Sequence, residues 1–163
     1  MSTRQIKEKT FSDHVVLFIA TGGYSGYFPF APGTAGTVAA IPVYLLFAMP
    51  GHILYLLLFA ILLPLSFWAS GRAEKIFGAK DSGMIVIDEI AGYLVTMFMV
   101  PAGWQYVVAG FFLFRFFDIS KIYPAGSMEK IGGGVGVVMD DIVAGVYANL
   151  SLWLLIYVGA LPW

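Results

Sequence analysis

Residues 84–100 read MIVIDEIAGYLVTMFMV. The run is apolar enough to enter a bilayer, yet it carries Asp88 and Glu89. A spanning helix needs about 20 mostly apolar residues, with a range of roughly 17–25. A charge near the centre of such a helix costs roughly 2.5–3.5 kcal/mol on insertion scales. This stretch therefore poses the question of fold and the question of function together. Two further runs repeat it: GFFLFRFFDISK (110–121) carries Asp118, and GVGVVMDDIVAGVYANL (134–150) carries Asp140 and Asp141. An ionisable residue inside a membrane segment is a functional-site hypothesis by default.

Composition sets the frame around these runs. The chain has 163 residues, 60% hydrophobic and 12% charged, with mean hydropathy +0.85. A soluble domain would carry about 45–50% apolar and about 25% charged residues. The expectation is an all-α integral membrane bundle of about five transmembrane or membrane-embedded helices, with a short interfacial helix before them. One membrane domain, 1–163, is expected: a polar arm and interfacial helix over 1–27, then the bundle over 28–163. A net charge of −1 argues against nucleic acid as a partner. The absence of cysteine excludes disulfides, thiolate metal sites and cysteine nucleophiles. The polar, mixed-charge start MSTRQIKEKTFSDH is unlike a cleaved signal.

Five hydrophobic segments fit the chain, at about 37–50, 52–70, 84–100, 104–118 and 135–160; HVVLFIATGG (14–23) is too short to span. The turns Pro50-Gly51 and Pro101-Ala102-Gly103 are uncharged. The connections 71–83 (Arg72, Lys75, Lys80) and 119–134 (Lys121, Lys130) are basic, as is the N-terminal arm (Arg4, Lys7, Lys9). With five spans all three basic regions fall on one side. Positive loops stay cytoplasmic, which puts the N-terminus inside and Trp163 outside.

On this topology the five acids share one layer near the cytoplasmic face. Arg115, Asp118 and Lys121 recur every three residues, on one face of a helix. Asp88-Gly92-Thr96 and Asp141-Gly145-Asn149 step by four, and glycine allows close helix approach, so the two stripes are expected to face each other. Clustered carboxylates repel unless a cation separates them, and magnesium typically takes one or two carboxylates plus substrate phosphates. Asp88, Asp118, Asp140 and Asp141 are the candidate magnesium ligands. Arg115 and Lys121 supply the donors an anion needs, and a lipid phosphate sits at this depth. The turn in FPFAPGTAGTVAAIP (28–42) adds Gly33, Thr34 and Thr37, since helix N-termini favour anions; capping alone would also account for them. Other structural readings stay open. Glu89 could reach water, Asp118 could close a helix-end salt bridge, Arg115 could snorkel to headgroups, and GGGVG (132–136) could be a flexible lead-in.

Taken together, APGTAGTVAAIP, IVIDEIAGYLVT, FRFFDISKIYP and GGGVGVVMDDIVAG resemble the phosphatidylglycerophosphatase A family, in that family's order and over about Phe28 to Asn149. The resemblance implies a magnesium-dependent enzyme of the bacterial inner membrane, multi-pass, acting on phosphatidylglycerophosphate within the lipid. It carries the family's acidic motif to Asp88 and Glu89, its arginine-to-lysine motif to Arg115, Asp118 and Lys121, its paired aspartates to Asp140 and Asp141, and its turn to Gly33 and Thr34. One departure is Ile122, where the family usually has proline after the lysine. The expected chemistry is phosphomonoester hydrolysis with Glu89 as general base, Asp88, Asp141 and Lys121 in the catalytic group, and Arg115 and Lys121 on the phosphate. A phospho-aspartyl route remains open. The rival of another class is a cation- or proton-coupled transporter. It sits poorly with acids on one side of the membrane and no inverted repeat. The spacing of an alcohol phosphotransferase motif is absent.

Overall fold

The computed structural model describes residues 10–161. The basic arm residues Arg4, Lys7 and Lys9, and Trp163, lie outside the described residues. Those described form seven α-helices and no strand: α1 Phe11–Ala20, α2 Pro32–Ala48, α3 His52–Phe77, α4 Ile87–Met97, α5 Trp104–Ser120, α6 Ala125–Met128 and α7 Gly133–Tyr157. This is the helical membrane bundle expected, and α3 and α7 are long and apolar enough to cross a bilayer.

Local chemistry sets the ends. A reciprocal capping box between Thr10 and Asp13 starts α1. Its buried residues Val16, Leu17 and Ala20 pack it against α3. Pro32 opens α2 at a position where its missing N–H costs nothing. Gly78, at φ +66°, ends α3 in the left-handed cap that glycine adopts freely. That end lies later than expected: Arg72 and Lys75 belong to α3's last turns, not to a loop.

The larger difference concerns 84–100. A continuous span was expected, but the helix covers only 11 residues, Ile87–Met97, about 16 Å of rise. Residues 84–86 arrive as non-helical chain, with the Ile85 N–H bonded to the Ser82 carbonyl in a turn. The Val86 N–H donates to the Ala20 carbonyl at 2.9 Å, and Ile85 and Val86 are buried. Gly36 of α2 packs on Val86, where a Cβ would come to 2.5 Å from its Cβ. Non-helical backbone at membrane depth survives only where protein satisfies it, and that condition holds at both ends of α4. At the C-terminal end, the Tyr55 hydroxyl donates to the Leu94 carbonyl at 2.7 Å. Asn149 Nδ2 donates to the carbonyls of Thr96 and Phe98 at 2.8 and 3.0 Å.

α7 is the central post, packed against α3, α4, α5 and α6. The two glycine stripes do face each other. A Cβ on Gly92 would meet the Asp141 carbonyl, and one on Gly145 would meet the Gly92 carbonyl. Gly134 lies against the Phe67 carbonyl of α3, so the glycine run packs on α3 from Gly134 onward, while Gly132 and Gly133 before it stand in open space.

Candidate active site

The short α4 is what gathers the acids. Because it starts inside the bundle, Asp88 and Glu89 fall in its first turn, where the helix dipole favours negative charge. Asp140 and Asp141 lie two turns into α7, which starts at Gly133. α5 brings Arg115 and Asp118 in its last two turns, and Lys121 caps it in the left-handed conformation (φ 45°, ψ 45°).

The five acids divide into two kinds. Asp88, Glu89 and Asp141 each offer a carboxylate oxygen within 4.8 Å of the others. Asp118 and Asp140 each hold a cation. Arg115 Nη1 lies 2.6 Å from Asp118 Oδ2 and 3.7 Å from Glu89 Oε1. Lys121 Nζ lies 3.1 Å from Asp140 Oδ2. Asp118 also lies beside Asp141. The sequence had grouped Asp88, Asp118, Asp140 and Asp141 around the metal; the structure brings Glu89 into the close group and ties Asp118 and Asp140 to basic partners.

Several polar atoms here are buried with their hydrogen-bonding capacity unspent: Glu89 Oε2, Arg115 Nε and Arg115 Nη1. The close approach of Nη1 to Asp118 is an ion pair without hydrogen-bond alignment, so its N–H groups remain available. A buried donor or acceptor without a partner costs roughly 1–3 kcal/mol. That three such atoms meet at one carboxylate group points to something bound there. Five carboxylates against Arg115 and Lys121 also leave an excess of negative charge. Oxygen-only donors and surplus charge suit a hard divalent cation, so Asp88, Glu89 and Asp141 could hold a metal ion.

Partial burial works against the charge on Lys121, but Asp140 beside it prevails and holds the amine above its ordinary value. The carboxylates of Asp88 and Asp140 each accept the backbone N–H of the next residue, at 3.0 and 3.1 Å. These bonds fix the aspartate rotamers without using their second oxygens.

The α2 turn joins the site at one residue. A Cβ on Gly33 would collide with Glu89 Oε1 and lie 3.0 and 3.2 Å from Arg115 Nη1 and Nη2. Thr34 stands beside it in the first turn, half-buried. The buried Thr37 hydroxyl donates to the Gly33 carbonyl at 2.9 Å, so it holds the turn that carries Gly33. Sequence reasoning missed Asp81, whose charge reaches both Lys121 and Asp140. Within the turn KDSG nothing distinguishes it from an ordinary loop acid.

Fold and site together define a class, a helical membrane protein with a buried acidic group that could hold a metal ion beside Arg115 and Lys121. The family described as Phosphatidylglycerophosphatase A matches residues 18–156. A Bacteroides thetaiotaomicron protein named putative phosphatidylinositol-3-phosphatase is 41% identical, covering 83% of this chain and 90% of its own. The phosphatidylglycerophosphatase A proteins of Escherichia coli and Haemophilus influenzae are 36% and 34% identical. They cover 86% and 85% of this chain, and 81% and 87% of their own. No solved structure matches. The chain belongs to the phosphatidylglycerophosphatase A family and is a phosphoric monoester hydrolase.

Proposed function

We propose that the protein hydrolyses the terminal phosphomonoester of phosphatidylglycerophosphate, giving phosphatidylglycerol and phosphate, at the cytoplasmic face of the bacterial inner membrane, with magnesium as cofactor. The observation that carries this is the close group Asp88, Glu89 and Asp141 beside an arginine whose Nε and Nη1 donors are buried and unspent. The names of the Escherichia coli and Haemophilus influenzae relatives supply the substrate. The orientation is supported by Arg72 and Lys75 at the end of α3, which packs on the head of α7 through Gly71 and Gly134.

Asp88 and Asp141 would hold the ion. When bound, magnesium neutralises phosphate charge and makes water more acidic. Arg115 binds the phosphoryl oxygens through Nε and Nη1, anchored by Asp118. Lys121, kept charged by Asp140, stabilises the charge that builds on those oxygens. Glu89 has one oxygen facing Arg115, and its Oε2 is buried with no donor upon it, so Oε2 accepts the proton of the attacking water. The phosphorus–oxygen ester bond breaks and the headgroup alcohol leaves, taking its proton from solvent. Gly33 keeps α2 close without intruding on Glu89 or Arg115.

A second reading has its own support. The 41% identical relative is named for a phosphoinositide, and an inositol ring bearing a monophosphate presents the same reacting group. Phosphate release from the two lipids, measured in mixed micelles with each alone and both together, separates the readings. Phosphatidylglycerophosphate should show the higher kcat/KM; a preference for phosphatidylinositol 3-phosphate would transfer the assignment.

A further inference from the structure

A cavity of about 220 Å³ lies at the head of α7, lined by Lys80, Asp81, Gly132, Gly133 and Val137, with Lys80 its one cation. It is built and not an accident of a loose loop. Asp81 is held at φ +49°, with its N–H donating to Glu74 Oε1 of α3 at 2.8 Å. Gly132 and Gly133, at φ +75° and +64°, turn the chain into α7, and a Cβ on either would meet open space. Val137 precedes Asp140 and Asp141 by three and four residues. The cavity wall therefore runs on to the catalytic carboxylates within one turn, about 5 Å along the axis. Asp81 interacts through its charge with both Lys121 and Asp140, so the loop lies close to that pair.

A phospholipid monophosphate carries two anions: the monoester that reacts and the diester that joins the headgroup to the lipid. In the proposed function Arg115 and Lys121 serve the first. The second must leave the site toward the membrane surface past a surplus of carboxylates, and it needs a cation of its own. We propose that the cavity is the subsite for this diester phosphate, with Lys80 as its cation. The polyol of the headgroup spans the single turn of α7 between the two phosphates. The inference rests on the phosphatase reading and deepens it, making Lys80 a specificity residue. It applies equally to a glycerol or an inositol headgroup, because both carry the diester.

The test uses the full-length protein in detergent micelles and two soluble inhibitors. Inorganic phosphate probes the monoester site; glycerophosphoglycerol, which has the diester and no monoester, probes the cavity. Lys80→Ala should raise KM for phosphatidylglycerophosphate about tenfold, as loss of one charge-assisted contact does, with kcat nearly unchanged. It should weaken inhibition by glycerophosphoglycerol by a similar factor and leave inhibition by inorganic phosphate as it was. Lys80→Arg should restore both. Equal weakening of both inhibitors, or of neither, would overturn the subsite. If the wild-type protein releases no phosphate from either lipid, the phosphatase reading fails first and the subsite with it.

Discussion

Gly33→Ala separates catalysis from stability in a single methyl group. In α2 the glycine backbone is ordinary helix, so alanine is conformationally welcome and adds roughly 0.5–1 kcal/mol to the helix. The space is another matter. The new Cβ would collide with Glu89 Oε1 and stand 3.0 Å from Arg115 Nη1. Either the carboxylate or the guanidinium must give way, and a misplacement of about 1 Å at a reacting group costs on the order of 100-fold in rate. The expected variant is as stable as wild type in a detergent melt and about 100-fold slower in phosphate release. Gly36→Ala is the control. Its Cβ would lie 2.5 Å from Val86 Cβ, against chain packed between helices, so it should lower the melting temperature through overpacking of about 1–3 kcal/mol. A Gly33→Ala protein with wild-type kcat would refute the contact between α2 and the Glu89–Arg115 pair as the reason for the glycine.

Other outcomes follow from the same geometry. Asn149→Leu removes the donors to the Thr96 and Phe98 carbonyls and should cost about 1–3 kcal/mol, read as a lower melting temperature, with kcat affected less than by Gly33→Ala. Gly92→Ala drives a methyl into the Asp141 carbonyl and the Phe114 ring and should lower stability and activity together, measured by melt and by phosphate release. Arg115→Lys retains charge but loses the planar fork; a kcat fall of about 100–1,000-fold is expected from the loss of one preorganised donor group, where a wild-type rate would show that Arg115 only snorkels. Chelator should abolish turnover and magnesium restore it, and the melting temperature should fall with chelator, since a ligand that binds only the folded state stabilises it.

Much of this was legible in the sequence because its signals are independent. Hydropathy marked the helices, and counting spans placed the five acids Asp88, Glu89, Asp118, Asp140 and Asp141 in one layer. The spacing by four predicted the facing stripes at Gly92 and Gly145. The late start of α4 was hidden, because Met84, Ile85 and Val86 are equally apolar in a helix or outside one, and hydropathy does not register the difference. What makes so short a helix tolerable is tertiary: the Ala20 carbonyl at one end, Tyr55 and Asn149 at the other. The partition of the acids was hidden in part for the same reason. The Asp118–Arg115 pair was legible, since the two lie three residues apart on one helix, but that Asp140 faces Lys121 depends on how α7 packs against the end of α5, and Glu89 enters the close group only because α4 begins at Ile87. Asp81 and Lys80 carried no pattern, since a turn acid and a turn lysine are common everywhere.

The most direct measurement is phosphate release from phosphatidylglycerophosphate by purified protein in micelles, wild type beside Asp141→Asn, with and without chelator. The account predicts magnesium-dependent release by the wild type, none with chelator, and none from Asp141→Asn despite an intact melt. Release by Asp141→Asn at the wild-type rate, or release indifferent to chelator, would contradict a metal-holding group at Asp88, Glu89 and Asp141.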